Sequence, residues 1–291
     1  MIIYNPSLNQ LQGIPRSFAE LCYLSILDLC YNNLAGDLSQ FIRNLKRMCR
    51  ETLKILKVCG NELHGSLPDI TRFSSMRVLD LSDNQLNGSL TRLHQYSKII
   101  VLSLGGNHLI GSLPDFIMLP SLSVLSIYEN RLNGTIPETI GNPSELKHLD
   151  VGFNSLEGVV SEAHFLNLSK SQHLDLSYNS LTSQFPSYWM PPFNLDSLHL
   201  GFCDMGPRFP KWLVGQTNIS ELYISGARIS DNIPVWFWNL SPYLSFLNLS
   251  NNQMSGCCQI YHPNILYTLV LILVQTNLRV RCQYFLRTQH P

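Results

Sequence analysis

Apolar and polar positions alternate in a short phrase that repeats along most of the chain. In its clearest copy, Met76–Leu90, Leu79 and Leu81 alternate as strand residues do, and Asn84 follows three residues after Leu81. The phrase recurs every 23 to 29 residues, with Asn at the anchor position in nine of eleven copies. The anchors are Asn9, Asn32, Asn61, Asn84, Asn107, Asn130, Asn154, Asn179, Cys203, Ala227 and Asn252. This pattern predicts stacked coils that each supply one short parallel strand, since one coil cannot bury its own leucines.

The L-x-x-L-x-L-x-x-N phrase at this period is the signature of leucine-rich repeats. The predicted fold class is therefore α/β, a right-handed leucine-rich-repeat solenoid. Its concave side is a parallel sheet, and its convex side carries 3₁₀ or short helices and loops. An Asn at the anchor offers an acceptor and two donors to backbone groups buried at the turn after each strand. Ala227 offers none and Cys203 offers little, so these two consecutive anchors predict a soft joint.

The repeat pattern divides the chain in two. Residues 1–256 are predicted to form the solenoid, with about eleven coils, a degenerate first coil and missing caps, and residues 257–291 form a non-repeat tail. The longest spacing falls at Arg43–Thr52, which predicts a bulge or short helix on the convex side. In the tail, Ile265–Val274 is a ten-residue apolar run, about half the length that a membrane-spanning helix needs. No signal peptide is visible, which is expected of a fragment or a truncated gene product.

Composition and motifs argue against several classes of function. Twenty basic and twenty acidic residues balance, so no overall basic field points to nucleic acid. No phosphate loop, nucleophile elbow, kinase signature or H-E-x-x-H motif is present, so we expect no enzymatic activity and no cofactor. The eight cysteines include no C-x-x-C pair and predict no metal framework.

Two pairs of cysteines fall on neighbouring coils. Cys22 and Cys49 hold nearly corresponding places next to the long loop and are predicted to form a disulfide. Cys30 and Cys59 share the column two residues before the anchor, and we expect them to be free thiols. Six N-x-[ST] sequons favour a secreted context, and they lie at Asn87, Asn133, Asn167, Asn218, Asn239 and Asn248.

Strand alternation aims the residues six, four, two and one before each anchor at the concave side. There the sequence predicts a ligand-binding surface made of His148, Asp150, Phe153, His173, Asp175, Tyr178, His199, Phe202 and Tyr223. The aromatic residues favour protein recognition, although tyrosine is also common in the repeat phrase itself. The His-Asp pairs allow three interpretations. They belong to the repeat consensus without a further role, they form a metal site, although nothing in the sequence orients the imidazoles, or they form a pH-sensitive patch. In the last case, a neighbouring Asp would favour charged histidine.

After the anchor, the phrase often ends in L-x-G-x-[IL]-P, as at Leu67-Pro68, Leu113-Pro114, Ile136-Pro137 and Ile233-Pro234. This ending resembles the plant-specific class of leucine-rich repeats, and residues 7–256 resemble plant receptor-like proteins of the elicitor and disease-resistance type. The resemblance implies a non-enzymatic ectodomain in defence or developmental signalling, which binds a peptide, protein or carbohydrate elicitor. It also implies a plasma-membrane location for the full-length protein and a co-receptor kinase as signalling partner. The alternatives are a secreted inhibitor of fungal cell-wall-degrading enzymes and a non-functional truncated gene product.

Overall fold

The backbone forms one long parallel sheet whose strands follow each other in chain order. A computed structural model of the chain describes residues 2–4, 11, 23–49, 51–255, 257–258, 270–272, 276 and 279–280. Twelve strands make up the sheet. They are Ile2–Tyr4, Leu24–Asp28, Ile55–Lys57, Val78–Asp80, Val101–Ser103, Val124–Ser126, His148–Asp150, His173–Asp175, Ser197–His199, Glu221–Tyr223, Phe246–Asn248 and Val270–Ile272. The predicted leucine-rich-repeat solenoid is confirmed.

The repeat register is as the leucine pattern predicts. Leu79 pairs with Leu102, and Leu102 pairs with Leu125, so equivalent residues of successive coils lie side by side. All three side chains have 0% exposure and belong to one core that runs from Leu24 to Met254. Neighbouring coils therefore cover each other's leucines, which no coil could bury alone.

Most strands of the large sheet are only three residues long. After Asp80, for example, the carboxylate Oδ1 accepts hydrogen bonds from the backbone N–H and the hydroxyl of Ser82. Asp83 then takes a left-handed conformation, with φ at 53°. The side-chain bond and the left-handed residue end the extended backbone before the anchor.

Each anchor asparagine joins its own coil to the preceding one. The Asn107 Nδ2 donates to the carbonyls of Leu104, Gly105 and Leu81, at 3.0, 3.0 and 3.1 Å. Its Oδ1 accepts the N–H of Leu86 in the preceding coil at 2.9 Å. The same four bonds recur at Asn61, Asn84, Asn130, Asn154 and Asn179. These asparagines form a ladder that fixes the coils against each other.

The two anchors without Asn are bridged in a different way. The Cys203 Sγ donates to Leu176 O at 3.2 Å, which keeps one rung of the ladder. At Ala227 the backbone carbonyl replaces the missing side-chain acceptor, because Met205 N and Gly206 N both donate to it at 3.1 Å. This contact needs a very close approach of the two coils, since a Cβ on Gly206 would lie 1.9 Å from Arg228 O. The backbone thus supplies bonds at the predicted soft joint that the sequence pattern did not indicate.

The convex side carries short helices and two further small sheets. The helices are the α-helix Leu38–Cys49 and the 3₁₀ helices Leu93–Tyr96, Glu138–Gly141, Glu162–Phe165, Lys211–Gly215 and Val235–Asn239. One small sheet contains Ala35–Asp37, Glu62–Gly65 and Gln85–Leu86, and the other contains Ile110–Gly111, Arg131–Gly134, Ser155–Val160 and Ser180–Ser183. The sequence analysis predicted the helices but not these additional strands.

The long spacing near residue 43 is occupied by the α-helix. The helix begins earlier than the predicted bulge because Asp37 Oδ1 accepts the N–H of Gln40 at 2.8 Å and so caps its first turn. Leu38, Ile42 and Leu45 recur at helical spacing and are buried against the core. The expected short helix on the convex side is confirmed.

The expectation of free thiols at Cys30 and Cys59 is wrong, because the two form a disulfide. They share one column on strands that pair in register through Leu27 and Leu56, which brings their Cα atoms 4.5 Å apart. This separation lies within the usual range for disulfides. Cys22 lies outside the described residues, while Cys49 is buried with its Sγ 3.7 Å from Leu45 O. The Cys22–Cys49 disulfide therefore stays a prediction.

The large sheet continues beyond the last recognisable repeat phrase. Val270–Ile272 pairs in parallel with Phe246–Asn248, and Cys257–Cys258 pairs with Arg279–Val280. The rest of the apolar run Ile265–Val274 lies outside the described residues. The division of the chain at residue 256 stays a prediction about the repeat pattern, whereas strand pairing extends to Val280.

Replacing a ladder asparagine should destabilise the solenoid more than replacing an exposed one. We expect Asn107→Ala to lower the free energy of unfolding by at least about 1–3 kcal/mol, because it leaves buried backbone groups unpaired. The control is Asn44→Ala, since Asn44 is exposed on the helix and bonds only to the Gln40 side chain among the described residues. Urea denaturation monitored by circular dichroism measures both, and equal midpoints would contradict the ladder.

Candidate functional site

The predicted binding residues lie together on the open face of the large sheet, which is the concave face of the predicted solenoid. His148 pairs in register with His173, and Asp150 pairs with Asp175. On the next strands Asp175 pairs with His199, and His199 pairs with Tyr223. The leucines between them point into the core, so the polar side chains point away from it.

Aromatic and imidazole rings make a continuous row across five strands, which we call the histidine row. His148 and His173 stack with ring centroids 4.1 Å apart and planes 7° from parallel. The row continues edge-on from His173 to His199 at 5.4 Å and from His199 to Tyr223 at 4.3 Å. It ends where Tyr223 stacks on Phe246 at 4.4 Å. The repeat spacing therefore brings four of the nine predicted residues into one contiguous surface.

The two carboxylates beside the histidine row have different environments. The Asp175 Oδ2 lies 3.0 Å from His199 Nδ1, and its Oδ1 accepts bonds from the N–H and the hydroxyl of Ser177. Burial raises the pKa of Asp175, but these hydrogen bonds outweigh burial, so the pKa lies below its usual range. Asp150 is bonded by Gly152 N at 3.1 Å. Its burial and the neighbouring charge of Asp175 raise its pKa to about 6.

Asp175 raises the pKa of the stacked histidines as expected, but the net shift is downward. The pKa of His173 is lowered to about 4, mainly by burial and then by the neighbouring His148 and His199, against the opposing effect of Asp175. Burial likewise lowers the pKa of His148, despite the opposing charge of Asp175. Desolvation therefore outweighs the favourable charge. His173 therefore stays neutral in mildly acidic solution.

A second row lies one residue before the anchors and contains Phe153, Tyr178 and Phe202; we call it the aromatic row. Phe153 and Tyr178 stack at 4.2 Å, and Tyr178 and Phe202 follow at 4.7 Å. Their exposed fractions are 50%, 45% and 43%, so these rings present apolar area to solvent. Phe202 lies over Gly226, where a Cβ would come within 2.8 Å of the ring. Because Gly226 has no side chain, the Phe202 ring has room to lie there.

Sequence reasoning missed part of this surface. Phe246, Glu221 and Ser197 lie in the column six before the anchor, which also holds His148 and His173. Ser197 Oγ lies 3.1 Å from His199 Nε2, and Glu221 Oε2 lies 3.6 Å from the same nitrogen. Strand alternation had already assigned this column to the concave side, so the pattern was sufficient to find these residues.

Two sets of three residues in and beside the histidine row have ligand atoms near enough to each other to bind one metal ion. His148, Asp150 and His173 form one set, and His173, Asp175 and His199 form the other. In each set, one ligand atom per residue lies within 4.8 Å of the other two. Nitrogen and carboxylate donors of this kind suit zinc and related divalent ions.

The predicted glycosylation sites differ in accessibility. Asn87, Asn133, Asn167, Asn218 and Asn239 are exposed. Asn248 is only half-buried on the open face, and its Oδ1 accepts bonds from the N–H and the hydroxyl of Ser250, the third residue of its own sequon. Glycosylation at all six stays a prediction, and Asn248 is the least accessible of them.

Comparison with known proteins gives matches to leucine-rich repeats and to plant receptors. A family model described as "Leucine rich repeat" matches residues 120–181. Receptor-like protein EIX1 of Solanum lycopersicum is 46% identical over 101 residues, which cover 35% of this chain and 10% of that protein. The chain thus corresponds to a small part of the relative that it matches, and it resembles plant receptor-like proteins as its repeat wording indicated.

Solved structures share the architecture over nearly the whole chain. The PEPR1–AtPEP1 structure aligns with a TM-score of 0.73 and 28% identity, over 94% of this chain and 37% of that one. The plant peptide hormone receptor RGFR1 in complex with RGF2 aligns with a TM-score of 0.77 and 24% identity, over 95% of this chain and 48% of that one. The second likeness shows the fold alone. Within the part of the chain that the structure describes, no helix has the length and apolar character to cross a membrane.

The raised pKa of Asp150 predicts how stability responds to pH. Its folded pKa of about 6 lies above the ordinary value of an aspartate, so ionisation of the carboxyl destabilises the fold, and the full effect is present above pH 6. Asp150→Asn should remove this penalty, on the order of 1–3 kcal/mol at pH 7.5, and the gain should vanish as the pH falls through 6 to 4. Asn248 already holds this column and accepts the same backbone bond.

Urea denaturation of both proteins at pH 7.5, 6 and 4 measures this difference. The control is Asp80→Asn, because Asp80 holds the same column between Lys57 and Ser103, without a neighbouring carboxylate there. A pH-independent effect of Asp150→Asn, or the same profile for Asp80→Asn, would contradict the assigned cause.

Proposed function

We propose that this chain, a leucine-rich-repeat solenoid that resembles plant receptor-like proteins, is part of the ligand-recognising ectodomain of a plant cell-surface receptor-like protein. It acts without catalysis, in defence or developmental signalling. Its ligand is a peptide, protein or carbohydrate elicitor that binds on the open face of the sheet.

The observation that carries the proposal is the pair of ring rows on the open face. The aromatic row exposes nearly half of each ring, and the histidine row includes residues on the strands of the same coils. Aromatic residues supply much of the binding energy in protein recognition, because a rigid ring buries a large area with little loss of entropy. The flanking carboxylates and hydroxyls add hydrogen-bond partners that can select one ligand over another.

The described strands from Ile55 to Ser126 have no rings in the column that His148 occupies. In the column six before the anchor, the strands before His148 carry Ile55, Val78, Val101 and Val124. The change to His148, His173 and then to Phe246 occurs within the same fold, so the repeat architecture does not require it. A change of chemistry that folding does not need supports a role in binding for the C-terminal half of the open face.

The relatives support the class of function. EIX1, which is 46% identical over 101 residues, is named a receptor-like protein. By the same resemblance, signalling passes through a co-receptor kinase that contacts the complete ectodomain. The whole protein resides at the plasma membrane, with this solenoid outside the cell.

Substitution in the aromatic row tests the proposal. The purified chain is screened against arrays of synthetic peptides and of plant and fungal wall oligosaccharides, and hits are measured by calorimetry. Tyr178→Ala removes the central ring and should weaken binding of each hit at least about tenfold, which corresponds to about 1.4 kcal/mol. The matched control is Tyr188→Ala, because Tyr188 is 84% exposed and lies outside the large sheet.

The outcomes separate this function from its rivals. Loss of binding with Tyr178→Ala but not with Tyr188→Ala supports recognition on the open face. Hits that tolerate Tyr178→Ala would contradict it, as would an absence of hits. Inhibition of a fungal pectin-degrading enzyme by the chain would favour the secreted inhibitor instead.

A further inference from the structure

We propose that His148, Asp150 and His173 form a binding site for one transition-metal ion, with Zn²⁺ as the expected occupant, on the open face of the sheet. The site would require neither a peptide nor a carbohydrate ligand. It is therefore independent of the proposed receptor function and can be tested alone.

The backbone places the three donors together. His148 and Asp150 are two residues apart on one strand, so they share a face, and His173 pairs in register with His148 on the next strand. One ligand atom from each residue lies within 4.8 Å of the other two. A tetrahedral zinc ion with bonds of about 2.0–2.1 Å needs ligand atoms about 3.3–3.4 Å apart. To bind the ion, the half-buried side chains would rotate until their ligand atoms reach this separation.

These three side chains are available to a metal ion. Among the residues that the structure describes, the imidazoles of His148 and His173 contact each other by stacking and make no hydrogen bond. Asp150 uses one oxygen, Oδ1, to accept the N–H of Gly152 at 3.1 Å. That bond orients the carboxylate and leaves Oδ2 for coordination. Side chains that bind metal ions are commonly oriented by such hydrogen-bond partners.

The neighbouring set His173, Asp175 and His199 has similar spacing, but its donors are already engaged. The His199 Nδ1 lies 3.0 Å from Asp175 Oδ2, and its Nε2 lies 3.1 Å from Ser197 Oγ. Asp175 is also held by Ser177. Coordination there would have to break these bonds, whereas coordination by His148, Asp150 and His173 breaks none of them. Asp175 contributes a negative charge beside the proposed ion.

The donor types select the class of metal. Two imidazoles and one carboxylate suit Zn²⁺ and also Cu²⁺ or Ni²⁺, whereas Mg²⁺ and Ca²⁺ prefer sites made of oxygen alone. Three protein ligands leave a coordination position toward solvent. Water or a donor group of an incoming molecule can occupy it.

Calorimetric titration of the metal-depleted full chain with zinc sulfate tests the site. The chain should bind one ion, since His173 belongs to both possible sets. His148→Gln and His173→Gln should each weaken zinc binding at least about tenfold. Asp150→Asn should weaken it as well, while preserving the size of the side chain and its bond to Gly152 N.

Two histidine controls locate the ion. His108→Gln removes an exposed imidazole that lies outside the large sheet, and His199→Gln removes the engaged imidazole next to His173. Both variants should keep zinc affinity within about twofold of the original chain. Thermal unfolding of each metal-free variant checks that it folds. If one histidine variant fails to fold, the remaining histidine variant and Asp150→Asn carry the test.

Cobalt provides a second readout. Visible absorption of the Co²⁺-loaded chain reports coordination by nitrogen and oxygen donors, and it should be lost in His173→Gln. Unchanged zinc affinity in the folded His148 and His173 variants would overturn the site. If His199→Gln lowered the zinc affinity as much as His148→Gln does, the placement of the ion at His148, Asp150 and His173 would be overturned. If His108→Gln lowered the zinc affinity, the binding would be nonspecific binding to exposed histidine.

Discussion

The hydrogen bonds of the anchor asparagines are the constraint on which the other features depend. A coil that turns sharply after each strand buries backbone carbonyls and N–H groups, and these must find partners. One side-chain amide supplies four bonds, of which two reach the preceding coil, as Asn107 does to Leu81 and Leu86. Each of these asparagines therefore satisfies its own turn and fixes the register of its coil against the preceding one. Where the amide is missing at Ala227, the backbone carbonyl takes over and the coils approach closely at Gly206.

Fixed register explains the chemistry of the open face. Residues that hold the same column on successive coils must lie side by side, whatever their type. Cys30 meets Cys59 and forms a disulfide, His148 meets His173 and stacks, and Phe153 meets Tyr178. A function can therefore arise on this scaffold by changing a few exposed residues while the leucines stay constant. The concentration of rings between His148 and Phe246 is such a change.

Sequence alone predicted the columns but not the interactions within them. The leucine period gave the fold, the strand order and the open-face position of His148, His173 and His199, because these depend on spacing. Cys30 and Cys59 were expected to be free thiols but form a disulfide, since spacing does not say whether adjacent thiols react. The direction of the histidine pKa shifts was also wrong, because burial against neighbouring rings depends on packing that no linear pattern reports. The small additional sheets were not predicted from the sequence either, because their strands have only two to six residues.

Engineered disulfides test most directly whether ladder register places equivalent residues side by side. In the double variant His148→Cys with His173→Cys, the two Cα atoms should be about 4.8 Å apart, which permits a disulfide. The out-of-register control joins His148→Cys with Tyr178→Cys, five residues further along the same neighbouring coil. After mild oxidation, peptide mapping by mass spectrometry should find the 148–173 link and no 148–178 link. Formation of the 148–178 link without the 148–173 link would contradict the register, and with it the histidine row and the surface proposed to bind ligand.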